Sequence, residues 1–171
     1  MTTDREVASK IRCILTDVDG VLTDGRIVYD NSLIESKRFH VHDGVGIKAW
    51  MSSGFGFGIL TARNSRLVEH RADELGVTSL RQGFEQKLPA AEEMLAELGY
   101  GWDELCYIGD DLPDLPVMRK ATLAVAPADA SRDAMETADW VLNSNGGGGA
   151  LRELTERLLR AKSRWEEHVP V

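Results

Sequence analysis

The chain has 171 residues, enough for one domain with a full-sized core. A net charge of −8 and the lack of a basic patch argue against nucleic acid as a partner. No apolar run approaches the ~20 residues that a membrane-crossing helix needs, and the polar stretch Met1 to Lys10 has no signal-peptide core, so a cytoplasmic protein is expected.

The first predicted element is the run Ile11 to Leu15, apolar except for Arg12, which reads as a buried strand. It leads into Asp17 and Asp19, carboxylates on alternate positions, and then into Gly20, where the backbone can turn. Acids at the carboxyl end of a parallel strand stand where open α/β sheets bind ligands. Alone, Asp-x-Asp reads equally as a capped loop. Arg26 to Phe39 holds two β-prone runs around Asp30-Asn31-Ser32, the pattern of a hairpin. A lone hairpin is marginal in water, so this one is expected to pack on something, another subunit included. Asp43 is expected to cap a helix from Gly44 to Ser53, where the glycines would let an anion approach. A plain helix start explains them as well. His40 and His42 read as surface histidines or as ligands.

Gly56 to Leu60 is a second buried strand, closed by Thr61. Asn64 or Ser65 then caps a helix to Leu75, with Leu67 and Leu75 facing the core. Val77 to Leu80 is a short strand. Lys87 opens a helix to Leu98 whose apolar stripe is Leu88, Ala91, Met94, Leu95 and Leu98. A lysine at a helix start opposes the helix dipole, and that conflict favours a functional lysine. Leu105 to Ile108 is a third strand, followed by Asp110, Asp111 and Asp114. Three acids so close together are poor for stability unless a cation sits among them. With Asp17 and Asp19 on a neighbouring strand, they read as an oxygen-only site for a hard divalent ion. Leu123 to Ala126 and Trp140 to Leu142 are two further strands around a short helix, Ser131 to Ala138. Asn145 to Gly149 reads as a flexible break, Ala150 to Ala161 as a helix carrying Leu151, Leu154, Leu158 and Leu159, and Lys162 to Val171 as a polar, mobile tail. Cys13 and Cys106 lie in apolar runs and are expected to be buried thiols. The alternation of strands and helices points to a parallel sheet covered on both faces.

Four of these features match, in order, the dispersed motifs of the haloacid dehalogenase superfamily of phosphohydrolases, which the chain resembles. They are Asp17-Val-Asp-Gly-Val-Leu-Thr23, Thr61 at the end of its strand, Lys87, and Gly109-Asp-Asp-Leu-Pro-Asp114. The resemblance implies a three-layer α/β/α Rossmann-like sheet over residues 1–171 as one domain, with the hairpin protruding after the first strand. It implies a phosphomonoester hydrolase in which Asp17 attacks phosphorus and Asp19 handles the leaving-group proton. Thr61 and Lys87 would stabilise charge on the transferring group. Asp17, Asp110 and the backbone carbonyl of Asp19 would hold Mg2+. Asp111 or Asp114 would support that site or complete it. Arg63, His42, Asp43 and Gly44 are assigned to substrate binding or to support of the site.

The segments between the motifs leave no room for a cap domain. The chain resembles the capless branch that includes the 3-deoxy-D-manno-octulosonate 8-phosphate phosphatases, through Asp17 to Gly25, Asp43-Gly-Val-Gly-Ile47, Tyr107-Ile-Gly-Asp-Asp-Leu112 and Gly146-Gly-Gly-Gly-Ala-Leu-Arg-Glu153. This implies a phosphorylated sugar acid as substrate and a homotetramer with shared sites. His42 and Gly148 depart from that branch, which commonly carries arginine at both places. A nonulosonate 9-phosphate or another small phosphoester therefore stays open. So does a non-catalytic assembly module, although Asp17, Asp19, Thr61, Lys87 and Asp110 together favour activity.

Overall fold

The computed structural model describes residues 4–170. The chain runs α1 (Asp4–Lys10), β1 (Cys13–Thr16), β2 (Val28–Tyr29), β3 (Glu35–Ser36), α2 (Val41–Ser52), β4 (Gly56–Thr61), α3 (Arg66–Leu75), β5 (Ser79–Gln82) and α4 (Lys87–Leu98). It continues through β6 (Leu105–Ile108), α5 (Leu115–Met118), β7 (Leu123–Ala126), α6 (Arg132–Thr137), β8 (Trp140–Val141) and α7 (Ala150–Ala161). Six strands form one sheet in the order β5-β4-β1-β6-β7-β8, and every pairing in it is parallel. β2 and β3 form the separate antiparallel hairpin.

Strand residues alternate between two layers, as the pleat requires. Ile14, Cys106 and Ile108 pack under Trp50 of α2, Val68 of α3 and the leucines of α7. Cys13, Leu15, Leu105 and Tyr107 pack under Met94 of α4, Val117 of α5 and Ala134 of α6. The expected three-layer α/β/α arrangement is what the helices build. No described helix is long and apolar enough to cross a membrane.

Several boundaries differ from the sequence reading. α2 starts earlier than expected, because His40 caps it by accepting from the His42 N–H, while Asp43 lies inside its first turn. β5 is shifted to Ser79–Gln82, because Val77 donates its N–H to the Ala72 carbonyl and stays with the end of α3. Leu67 is only half-buried, and Val68 and Ala72 join Leu75 in the core instead. α1 was not foreseen. The tail is docked rather than loose as far as His168. Trp165 is buried against α7, with the Arg152 guanidinium 4.6 Å from its ring, and His168 Nε2 lies 2.8 Å from Ser53 Oγ. Val171 falls outside the described residues.

The glycine run before α7 is likewise packed rather than free. Gly147 donates its N–H to the Val21 carbonyl at 2.9 Å, and Gly146 donates to Asp129 Oδ1 at 2.8 Å. A Cβ on Gly146 would fall 1.8 Å from the Gly20 carbonyl oxygen, a backbone atom that cannot swing aside. Gly146→Ala is expected to cost about 1–3 kcal/mol, as overpacking does, and to lower Tm by several degrees. At Gly148 the nearest atom to a built Cβ is 3.1 Å away. Gly148→Ala should therefore cost clearly less, and thermal denaturation of the two variants checks this.

Candidate active site

The register of the sheet brings the site together. Thr16 at the end of β1 pairs with Ile59 of β4 and Ile108 of β6, so the three carboxyl ends emerge side by side. The Asp17 N–H adds one further rung by donating to the Ile108 carbonyl at 3.0 Å. Asp17 and Asp110 thereby leave adjacent strands at the same edge, with Thr61 at the end of β4 beside them. Chain connections change direction across β1, which is where α/β sheets open a crevice. The loop after Asp19 closes over Asp110, and Gly20 makes this possible. Its φ is +99°, and a Cβ there would fall 2.0 Å from Asp110 Oδ2.

The inner part of the site is a charge cluster around one lysine. Lys87, the first residue of α4, is 3% exposed. Its Nζ lies 2.7 Å from Asp17 Oδ1 and 2.7 Å from Asp114 Oδ1. These two carboxylates offset the unfavourable end of the helix dipole. Burial works against the ammonium, but Asp17 and then Asp114 outweigh it and hold the Lys87 pKa above the ordinary lysine value. Asp114 is 1% exposed and fully engaged. Its Oδ1 also accepts from the Tyr107 hydroxyl at 2.7 Å, and its Oδ2 accepts from the N–H groups of Asp110 and Asp111 at 3.0 and 3.2 Å.

Asp17 and Asp110 are not so well compensated. Burial, followed by the charge of Asp114, pushes the Asp17 carboxyl up to about 6. Burial, followed by Asp17 and Asp114, pushes Asp110 up to about 8. Carboxylate oxygens from Asp17, Asp110 and Asp114 lie within 4.8 Å of one another. Oxygen donors crowded this closely suit a hard divalent cation. Both Asp114 oxygens already accept hydrogen bonds, which leaves more donor capacity for a cation on Asp17 and Asp110. Asp114 instead orients Lys87 and the backbone of the loop.

These groups open onto a cavity of about 260 Å³ lined by Asp17, Asp19, Thr61, Arg63, Lys87 and Asp110 among others. Its rim is a second set of ion pairs, supplied by the hairpin. The Lys37 ammonium contacts Asp19 Oδ1 and lies 3.6 Å from Glu35 Oε1. Arg63 Nη2 donates to Glu35 Oε1 and to the Tyr29 hydroxyl, each at 3.0 Å, and Ser65 Oγ donates to Glu35 Oε2 at 2.6 Å. Arg63 Nη1 is buried and has no hydrogen-bond partner.

Asp17, Asp19, Thr61, Arg63, Lys87, Asp110, Asp111 and Asp114 all border this cavity. His42, Asp43 and Gly44 do not. His42 lines a separate groove of about 650 Å³ with Gly148 and Arg152. Asp43 accepts from the Arg152 N–H at 2.8 Å and so ties α2 to α7. Gly44 packs against Arg71, whose Nη2 lies 2.6 Å from a Cβ built there. The sequence reading placed these three at the site because they lie in, or just before, the Asp43-Gly-Val-Gly-Ile47 segment that resembles the octulosonate phosphatases. That helix start is used instead for packing. Tyr107, Lys37 and Glu35 were missed. Tyr107 is hidden in a strand that reads as plain core, and Glu35-x-Lys37 carries no signal beyond two charges on one strand face.

Comparison with known proteins agrees with this geometry. Residues 80–154 match the family model of haloacid dehalogenase-like hydrolases, a segment that includes Lys87, Asp110 and Asp114. The 3-deoxy-D-manno-octulosonate 8-phosphate phosphatase of Escherichia coli K12 is 43% identical over 160 residues, covering 94% of this chain and 85% of that one. The crystal structure of the Yersinia pestis phosphatase of the same name superposes with a TM-score of 0.94 at 41% identity, covering 97% of this chain and 90% of that one. The Moraxella catarrhalis phosphatase, solved with a magnesium ion, a phosphate ion and a KDO molecule, gives a TM-score of 0.93 at 36% identity over 96% and 94% of the two chains. With this extent of identity spanning nearly its whole length, the chain belongs to the haloacid dehalogenase-like hydrolases, within the group of 3-deoxy-D-manno-octulosonate 8-phosphate phosphatases.

Proposed function

We propose that this chain, acting as a single domain in the cytoplasm, hydrolyses the phosphomonoester of a sugar acid, with 3-deoxy-D-manno-octulosonate 8-phosphate as the first substrate to test. The observation that carries the reading is the Asp17–Lys87–Asp114 cluster with Asp110 beside it in one cavity. Asp17 is the nucleophile. It attacks phosphorus to form an aspartyl-phosphate, which splits one hard hydrolysis into two steps. Asp19 gives a proton to the departing sugar oxygen and then takes one from the attacking water. Lys87 and Thr61 stabilise charge on the transferring phosphoryl group. Asp17, Asp110 and the Asp19 backbone carbonyl would hold Mg2+, which would supply charge neutralisation and Lewis-acid polarisation of the phosphate.

Arg63 supports an acidic substrate. It lines the cavity, keeps a permanent charge and has a buried Nη1 left to donate. His42 sits outside the cavity of its own chain, so it does not read a carboxylate there. Assembly as a homotetramer is supported by the outer face of the hairpin. Ile27, Leu33 and Ile34 are 61%, 82% and 63% exposed, more apolar surface than a free hairpin tip tolerates. Cys13 and Cys106 are buried and unbonded, which fits a reducing compartment.

Phosphate release from octulosonate 8-phosphate is expected to vanish in EDTA and return with Mg2+; full activity in chelator would sink the assignment. Asp17→Asn should abolish turnover in a folded protein, because an amide cannot attack phosphorus. An active Asp17→Asn enzyme would remove the covalent mechanism.

The charge cluster also sets a stability test. Asp17 and Asp110 hold protons more tightly in the folded chain than in the unfolded one. The stabilisation this gives is complete below the ordinary carboxylate range and is lost as pH rises through about 6 and about 8. In EDTA, Tm should therefore fall over that window, and Mg2+ should restore it. Asp110→Asn should raise Tm in EDTA at pH 8 and abolish the shift with Mg2+. Scanning fluorimetry with and without metal reads both. For assembly, light scattering should give the mass of four chains, and Leu33→Lys with Ile34→Lys should lower it. An unchanged mass would show that the hairpin is not the contact.

A further inference from the structure

Lys37 is the one charged side chain of the hairpin that is buried against the active site. Its side chain is 2% exposed, and its ammonium lies between Asp19 and Glu35. An ammonium so far from water must be paired, and both partners here are acids. Glu35 cannot follow a wandering lysine, because Arg63 and Ser65 hold its two oxygens from the loop after β4. The position of Lys37 is therefore fixed from one side by a carboxylate that is itself fixed. From the other side it engages Asp19 through Oδ1 alone. A carboxylate at the mouth of a cavity would otherwise rotate among several orientations. With Oδ1 taken, Oδ2 is the oxygen left to exchange a proton with the substrate.

We propose that Lys37 is the positioning residue of the proton-transfer step, holding Asp19 by Oδ1 so that Oδ2 faces the leaving oxygen. The proposal rests on the reading of Asp19 as the acid. In the step concerned, an Asp17 oxygen forms a bond to phosphorus while the bond from phosphorus to the ester oxygen breaks. The ester oxygen takes the proton from Asp19 Oδ2, leaving a carboxylate that Lys37 already contacts. Lys37 touches neither phosphorus nor the ester oxygen, so it acts only through Asp19. The competing role is purely structural, a staple that keeps the hairpin on the domain.

Leaving-group dependence separates the two. An alkoxide needs a proton as it departs, and p-nitrophenolate does not. The measurement is kcat/KM, which covers the steps up to departure of the leaving group, on octulosonate 8-phosphate and on p-nitrophenyl phosphate. The enzymes compared are wild type, Lys37→Met, Lys37→Arg and Asp19→Ala. Lys37→Met is expected to lose on the order of tenfold or more on the sugar phosphate, part of the 10²–10⁴ that general acid catalysis supplies. It should lose several-fold less on the aryl ester. Lys37→Arg should recover part of the loss, because a guanidinium can still hold Oδ1. If Lys37→Met does not fold, Glu35→Gln carries the same comparison, since it loosens Lys37 without removing it. Equal losses on the two esters, or no loss on either, would overturn the proposal in favour of a staple. Asp19→Ala reads the underlying assignment on its own. If that variant loses equally on both esters, Asp19 is not the acid, and the role given to Lys37 falls with it.

Discussion

Lys87 stands 2.7 Å from both Asp17 and Asp114 and is almost out of contact with water, and carboxylates could not be gathered so closely without it. Each buried carboxylate carries a desolvation cost of several kcal/mol that only a partner charge and full hydrogen bonding can offset. Asp114 has both: the ammonium, the Tyr107 hydroxyl and two backbone N–H groups fill its oxygens. Asp17 has half as much and Asp110 less. The result is a gradient of compensation across one cavity. At its satisfied end the groups are fixed. At its unsatisfied end they are ready to bind a cation and react.

The sheet produces that gradient. Asp17 and Asp110 are neighbours because β1 and β6 are paired in register. Tyr107 reaches Asp114 because strand parity turns it toward the layer that holds α4 and α5. Lys87 is available because α4 starts at that edge. Asp17 and Lys87 are remote in sequence from each other and from the segment Tyr107 to Asp114. The chemistry therefore depends on strand order more than on any local segment.

The parts legible in the sequence were those with a local cause. The helix from Ala150 to about Ala161 was legible, since its leucines follow a helical period and a glycine run marks its start. Asp17, Asp19, Thr61, Lys87 and Asp110 each have an ordinary local reading as well, and stood out as a set through their match, in order, to the family motifs. What was misread had a distant cause. Asp43 is a good cap by type, but the Arg152 N–H at the start of α7 claims its side chain. The tail looked polar, but Trp165 is buried against α7, which no short window reveals. Asp111 and Asp114 could not be ranked, because the difference between them is made by Lys87, remote in sequence, and by Tyr107, whose facing is set by its place in the sheet. Lys37 was invisible for the same reason.

The site thus contains two ionic networks that differ in their access to water. The inner one, around Lys87, is sealed. The outer one joins Glu35 to Arg63, with side chains 19% and 32% exposed, and it carries a hairpin whose strands pair over only two residues each. Dissolved ions screen exposed charges over distances of about 8–10 Å at ordinary ionic strength and reach buried pairs far less. Salt therefore acts selectively on this molecule. It loosens the Glu35–Arg63 pair at the rim and leaves the buried Lys37 and Lys87 pairs largely untouched.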